Sequence, residues 1–103
     1  MNENKTAQIK QAVAKIDIGK IAVYLQEYSS SKTLRRIISY SRRVLGSNND
    51  KEIFRLSTDL AYYLDTICDA NKSGYVKDET EKKNLLEISK ELFENTIGVK
   101  DKK

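Results

Sequence analysis

Two helices joined by one turn are predicted by residues 50–97, which read DKEIFRLSTDLAYYLDTICDANKSGYVKDETEKKNLLEISKELFENTI. On both sides of the turn Asn71-Lys72-Ser73-Gly74-Tyr75, apolar residues recur every three or four positions, the repeat of one helix face. Each helix must bury that face, so the N-terminal half of the chain is expected to supply the opposite wall of the core. The apolar positions are Ile53, Leu56, Leu60, Leu64 and Ile67 before the turn and Leu85, Ile88, Leu92 and Thr96 after it.

Signals for helix ends flank both apolar patterns. Asn49 followed by Glu52, and Asp78 followed by Glu81, have the spacing of a capping box, in which two side chains satisfy free backbone N–H groups. Gly98 is expected to end the last helix. The predicted helices therefore run from about Asp50 to position 69 or 70, and from about position 79 to 97.

An earlier helix is predicted from about Lys32 to Leu45, after the run Ser29-Ser30-Ser31. Gly46 follows it and is expected in the left-handed conformation that often ends a helix. Its inward-facing positions are expected to be Leu34, Ile37, Ile38, Ser41, Val44 and Leu45.

The N-terminal segment carries two short apolar patterns whose directions differ by about 100° around a helix axis. Gly19 lies between them and marks a kink or a break. A long bent helix, beginning near Asn4 or Thr6, is favoured over two separate helices. The predicted fold is thus all-α, an antiparallel four-helix bundle whose first helix is long and bent or broken near Gly19. The two patterns are Ile9, Val13 and Ile16, then Ile21, Tyr24 or Leu25, and Tyr28.

The length of 103 residues suits one domain, residues 1–103, with frayed ends expected at 1–4 and 99–103. No apolar run approaches the roughly 20 residues that span a bilayer. No apolar segment of a secretion signal follows Met1, and the chain has a single cysteine. Together these features predict a cytoplasmic protein.

Residues that commonly carry catalysis are scarce in this sequence. Histidine, the commonest general base and metal ligand, is absent. Cys68 lies at the edge of an apolar face, which favours a buried thiol over a nucleophile. Asp65 and Asp69 could together bind a cation, but a solvated pair is the favoured interpretation. We therefore expect no catalytic residue, no metal and no cofactor.

A basic face on the second predicted helix is the strongest polar feature. Residues 1–49 hold nine basic and three acidic side chains, and no acid lies between Glu27 and Asp50. This face suits plain solvation, an anionic membrane surface or acidic protein, or, with least support, nucleic acid. It consists of Lys32, Arg35, Arg36, Arg42 and Arg43.

A family resemblance covers roughly residues 30–98. Leu60-Ala61-Tyr62-Tyr63-Leu64, the turn with Lys72, Thr80-Glu81 and Leu85-Leu86-Glu87-Ile88-Ser89 resemble immunity proteins of class IIa (pediocin-like) bacteriocins, especially the enterocin A immunity branch. Leu34-Arg35-Arg36-Ile37-Ile38-Ser39-Tyr40 extends this likeness more weakly toward the N-terminus. Relative to the family, the segment Gly19–Tyr28 is extra.

The resemblance implies self-protection against a bacteriocin. Such a protein acts in the cytosol, where it can also contact the membrane transiently, and blocks killing when the bacteriocin engages the membrane components of the mannose phosphotransferase permease. The C-terminal half of the family largely decides which bacteriocin is countered. Carried over by position, this implies partner-binding residues in the second turn-and-helix unit, namely Asn71, Lys72, Tyr75, Lys77, Lys90 and Asn95.

Two other function classes stay open at the level of sequence. One is a helical adaptor that binds another protein through an exposed groove. The other is a small nucleic-acid-associated regulator that uses the basic face, whose binding would weaken steeply with salt.

Overall fold

The computed structural model describes residues 3–96 and contains five α-helices and no strand within that range. The all-α prediction is therefore confirmed, whereas a four-helix bundle is not confirmed, because five helices are present in that range. No helix in this part of the chain is long and apolar enough to cross a membrane. The helices are α1 (Glu3–Ala14), α2 (Ile18–Glu27), α3 (Lys32–Gly46), α4 (Asp50–Cys68) and α5 (Glu79–Asn95).

The additional helix arises because the N-terminal segment is broken rather than bent. The N–H of Lys15 bonds the carbonyl of Ala12 at 3.0 Å, which tightens the end of α1. Asp17 has an extended backbone, and its side chain accepts from the N–H of Lys20 at 3.2 Å, so it caps a new helix. The favoured continuous helix is wrong, and Gly19 lies inside the first turn of α2 rather than at the break.

Buried residues from all five helices form the core, and α2 contributes the fully buried Ile21. α1 packs against α3, α4 and α5, α4 packs between α3 and α5, and α2 packs mainly on α3. The segment Gly19–Tyr28 covers all of α2 except its first residue. All apolar positions predicted for α4 and α5 up to Leu92 are buried, and Thr96 is half-buried.

Two predictions for the end of α3 are wrong. Leu45 is 43% exposed because it is one residue, or 100° of helix rotation, past Val44, which takes the inward position. Gly46 is the last helical residue and has no left-handed backbone. Among the described residues, the glycine with positive φ is Gly74, at 65°. Gly98 and the other residues of 97–103 lie outside the described range, as do residues 1 and 2.

The predicted N-caps of α4 and α5 are confirmed. Asn49 accepts from the N–H of Glu52 at 3.1 Å, and Asp78 accepts from the N–H of Glu81 at 3.0 Å. Neither glutamate completes a capping box, however. The Glu52 carboxylate instead accepts from the hydroxyl of Ser47 at 2.9 Å, and Glu81 accepts from a tyrosine on α2. Both glutamates therefore connect separate parts of the fold.

Candidate functional site

The connection between α4 and α5 is held by the backbone around Asp69. Its carbonyl accepts from the N–H groups of Lys72, Ser73 and Gly74, at 3.0, 2.9 and 3.0 Å. Its side chain accepts from the N–H of Asn71 at 2.9 Å. The left-handed backbone of Gly74 then redirects the chain toward α5. Asp69, predicted as half of a solvated pair, therefore organises this turn.

Two further bonds fix the connection to the end of α4. The Ser73 hydroxyl donates to the carbonyl of Thr66 at 2.8 Å, and the N–H of Val76 donates to the carbonyl of Ile67 at 3.3 Å. The Val76 side chain is buried in the core. Because these hydrogen bonds hold the backbone in one conformation, the positions of the exposed side chains of the turn are defined. Those exposed side chains are Asn71, Lys72 and Lys77.

Tyr75 packs against α2 instead of projecting from the turn. Its ring stacks on that of Tyr28, the C-cap residue of α2, with centroids 4.5 Å apart and planes at 30°. Both tyrosines are half-buried. A tyrosine in such a turn can either pack over helix ends or stay free to contact a partner, and Tyr75 does the first.

The other predicted partner-binding residues lie on α5, away from the turn. Lys90 is exposed and eleven residues beyond Glu79, where α5 begins, a separation of about 16 Å along the helix. The side-chain amide of Asn95 donates to the carbonyl of Glu91 at 2.8 Å, within the same helix. The structure therefore divides these six residues between the turn and α5 and does not gather them into one patch.

The basic face of α3 is also divided, and part of it is neutralised from another helix. Arg36 and Arg43 point toward α4, where Arg36 donates to the Tyr63 hydroxyl at 3.4 Å and Arg43 pairs with Glu52 at 3.2 Å. Arg35 and Arg42 lie on the side toward α2, and Lys32 is exposed. The absence of acids between positions 27 and 50 did not leave the whole face unpaired, because α4 supplies a carboxylate.

Three tyrosines and three cations form a continuous surface along α3 and α4, which we name the tyrosine–cation strip. Its order is Arg43 over Tyr40 (5.7 Å from guanidinium carbon to ring centroid), Tyr40 beside Tyr63 (5.8 Å) and Arg36 over Tyr63 (5.9 Å). These distances allow cation–π attraction.

The strip continues to the α4–α5 turn. Tyr63 meets Tyr62 edge to face at 6.2 Å, and the Lys72 ammonium lies 5.2 Å from the Tyr62 centroid. Tyr62 is 53% exposed, so the strip is open to a partner. The structure thus joins two groups that the sequence predicted separately, the turn and part of the basic face. The partner-binding and basic-face residues predicted from the sequence do not include Tyr40, Tyr62 and Tyr63, although adjacent tyrosines at the edge of an apolar stripe are a usable signal.

A groove between α2 and α3, which we name the arginine groove, is the second notable surface. Leu25 and Ile38 are half-buried within it, and no carboxylate is among its lining residues. Arg42 makes no hydrogen bond or ion pair with any residue of the described range 3–96, and Arg35 donates to the carbonyl of Ser29. The groove is lined by Leu25, Arg35, Ile38, Ser39, Arg42 and Arg43.

Cys68 is buried, as predicted. Its Sγ lies 3.8 Å from the carbonyl oxygen of Lys82, and burial raises the pKa of the thiol to about 11. The thiol is therefore protonated at neutral pH, the less nucleophilic form. Within residues 3–96, no group of three or more cysteine or acidic side chains could hold a metal ion.

The surfaces described above differ in chemistry. The α4–α5 turn offers exposed polar side chains on a fixed backbone, the strip offers aromatic rings with cations, and the groove offers an apolar floor with a basic rim. All three suit the binding of another molecule. No family model, no curated protein and no solved structure matches the chain.

Proposed function

We propose that this protein is a cytoplasmic immunity protein that protects its cell from a pediocin-like bacteriocin. It acts without catalysis, by binding where the bacteriocin meets the membrane components of the mannose phosphotransferase permease. In this proposal α1, α3, α4 and α5 correspond to the antiparallel four-helix bundle of the resembled family. Helix α2 is then an insertion placed against α3.

The observation that carries the proposal is the position of the resembled motif in the tyrosine–cation strip. In Leu60-Ala61-Tyr62-Tyr63-Leu64, both leucines and the alanine are buried, whereas Tyr62 is exposed and Tyr63 half-buried. Lys72, from the resembled turn, lies over Tyr62. The motif therefore supplies core residues on one side and an accessible surface on the other.

The chemistry of the strip suits contact at the inner membrane surface. Tyrosine presents an apolar ring with a polar end, and such residues are enriched where membrane meets water. Arginine and lysine beside the rings favour anionic lipid or acidic loops of a membrane protein. A strip that holds both kinds of side chain in alternation can engage a receptor and the lipid around it at once.

The test is protection of a sensitive strain that expresses this chain. Challenge with a panel of class IIa bacteriocins should raise the inhibitory concentration of at least one member. Tyr62→Ala combined with Lys72→Glu should lower this protection, whereas Lys20→Glu, an exposed change on α2, should leave it intact. Unchanged sensitivity to every bacteriocin, with the folded protein detected in the cells, would contradict the proposal.

A helical protein-binding adaptor is the second candidate, and the arginine groove favours it. The alternative of a nucleic-acid-associated regulator would use the basic face, with bases stacking on the strip tyrosines. That alternative requires binding that weakens steeply with salt and is lost on charge reversal of the arginines. Absence of DNA and RNA binding at low salt excludes it. The arginines to reverse are Arg35, Arg36, Arg42 and Arg43.

A further inference from the structure

The arginine groove has the composition of a binding site for a charged, partly apolar segment. Its floor contains Leu25 from α2 and Ile38 from α3, and its rim carries arginines. We propose that this groove binds an acidic amphipathic helix of a partner protein. The inference is independent of the proposed immunity function, which rests on the strip and the α4–α5 turn.

The charge of the rim is the first argument for an acidic partner. Arg43 already pairs with Glu52 at 3.2 Å, but Arg42 has no partner within residues 3–96. Arg35 contacts the carbonyl oxygen of Ser29, which carries no net charge. Two guanidinium groups therefore remain without a carboxylate, and no acid lines the groove to supply one. Carboxylates of a partner would form the charge-assisted, often bidentate bonds that arginine favours.

The spacing of the two unpaired arginines is the second argument. Arg35 and Arg42 are seven residues apart in α3, which is two helical turns and about 10.5 Å along the axis. They consequently face nearly the same direction. A helix aligned with α3 presents side chains seven residues apart over the same length, so two of its carboxylates would meet both arginines together.

The apolar floor of the groove predicts which kind of side chain the partner helix carries between its two carboxylates. Ile38 is three residues after Arg35 and four before Arg42, so it lies between the two arginines on the same side of α3. Leu25 faces it from α2. The partner helix is therefore expected to carry an apolar side chain three or four residues after its first acid. Acid, apolar residue and second acid within eight positions is the pattern that this groove selects.

A lipid bilayer fits the same surface less well. Leu25 and Ile38 are half-buried, whereas Arg35 and Arg42 are exposed at the rim. A flat headgroup layer would contact the guanidinium groups and leave the apolar floor uncovered. A helix is narrow enough to place one apolar side chain on the floor and acids on the rim, as helices do in many grooves.

The test uses a synthetic helical peptide of about 18 residues with two glutamates seven apart and leucine between them, long enough to form a helix on binding. The control peptide has the same composition but glutamates five residues apart, so they point in different directions. Binding is followed by fluorescence anisotropy and by NMR shifts of Leu25 and Ile38. We expect saturable binding of the first peptide, with shifts at both residues and at least tenfold weaker binding, about 1.4 kcal/mol, for the control.

Variants of the arginines test whether peptide binding depends on the rim of the groove. Arg35→Glu with Arg42→Glu should weaken binding by about tenfold or more, and Arg42→Gln alone should weaken it less. Lys83→Glu, an exposed change on α5, should leave affinity unchanged. Circular dichroism and thermal unfolding of each variant check that it is folded.

Several outcomes would overturn the inference. These are no saturable binding up to about 1 mM peptide, equal binding of both peptides, or full affinity in the double arginine variant. Binding to vesicles of phosphatidylglycerol is measured as a separate experiment. Vesicle binding that requires Arg35 and Arg42, without peptide binding, would assign the surface to lipid and also reject the proposal. Because purified protein is used, none of these outcomes depends on bacteriocin protection.

Discussion

The hydroxyl of Tyr24 donates a hydrogen bond to the carboxylate of Glu81, joining α2 to the first turn of α5. These residues are 57 positions apart. Since α2 otherwise packs mainly on α3, this bond and the stack of Tyr28 on Tyr75 connect it to α5 and to the α4–α5 turn. The bond also explains why Glu81 does not return to its own helix cap.

Tyr24→Phe should destabilise the protein by about 1 kcal/mol at pH 7, because it removes a partly exposed hydrogen bond to a charged group. Burial first, then the bond to Glu81, raises the pKa of Tyr24 above its usual 10.0. A raised pKa in the folded state contributes stability that is complete below pH 10 and declines at higher pH.

Urea unfolding at pH 7 and pH 10.5 measures both effects of the Tyr24 change. The variant should show a smaller loss of stability between the two pH values than the unaltered protein. Tyr62→Phe is the matched control, since Tyr62 is exposed and no hydrogen bond of its hydroxyl is present within residues 3–96. Equal behaviour of both tyrosine variants would show that the Tyr24 bond contributes nothing.

Part of the protein's stability should depend on the ionised carboxylate of Glu52 and should be lost at low pH. The hydrogen bond from Ser47, followed by that from Arg43, lowers the pKa of Glu52 below its usual 4.5. A lowered pKa in the folded state contributes stability above pH 4.5 that is lost as the pH falls through the folded value. Glu52→Gln should therefore lower the Tm at pH 7 but reduce its further decline between pH 5 and about 3.

Thermal unfolding from pH 7 to about pH 3 tests this expectation for Glu52. Glu87→Gln provides the control, because Glu87 is exposed on α5 without an ion pair in the described part of the chain. A Glu52→Gln protein whose Tm follows the same pH dependence as the unaltered protein would contradict the assignment.

Replacement of two glycines by alanine should change the stability of the protein in opposite directions. Gly46 lies in the last turn of α3, and nothing would contact an added Cβ within 4 Å. Gly46→Ala should stabilise the protein by about 0.5–1 kcal/mol, because alanine restricts the unfolded chain and favours helix. Gly74 has φ of 65°, so Gly74→Ala should destabilise by about 1 kcal/mol or more. Urea unfolding of both variants measures the change in the free energy of unfolding. A change of the same sign in both variants would contradict the difference in backbone conformation between Gly46 and Gly74.

Replacement of two buried serines by alanine should also change the stability of the protein in opposite directions. The Ser89 hydroxyl donates to the carbonyl of Ala61 at 2.8 Å, which joins α5 to α4. Ser89→Ala should destabilise by about 1 kcal/mol, since that bond is lost. The hydroxyl of Ser57 is buried without a hydrogen-bond partner inside the described range. Ser57→Ala removes this cost and should stabilise by about 1 kcal/mol.

Guanidinium unfolding of the two serine variants is the measurement. Each replacement deletes one oxygen at a position less than 5% exposed, so the variants control for each other. Similar losses of stability in both would mean that the Ser57 hydroxyl is satisfied in solution.

Local chemistry let the sequence by itself determine α3, α4 and α5, the N-caps of α4 and α5, and most of the buried faces of these helices. The repeat from Ile53 to Ile67, and the bonds at Asn49 and Asp78, involve residues at most four positions apart. Those interactions are set by helix geometry alone. The break before α2 is ambiguous in the sequence, because two stripes about 100° apart suit either a bend or a new helix. Asp17, whose side chain caps α2, is the local signal for a new helix.

Tertiary structure alone decided which polar groups meet. Asp69 became the centre of a turn, Arg43 gained Glu52, and Tyr75 stacked on Tyr28, none of which follows from neighbouring residues. The tyrosine–cation strip likewise needs α3 and the α4–α5 turn to lie on the same side of α4. The physical reason is distance along the chain: periodicity fixes which face of a helix is buried, but helix packing fixes which helix covers its edges.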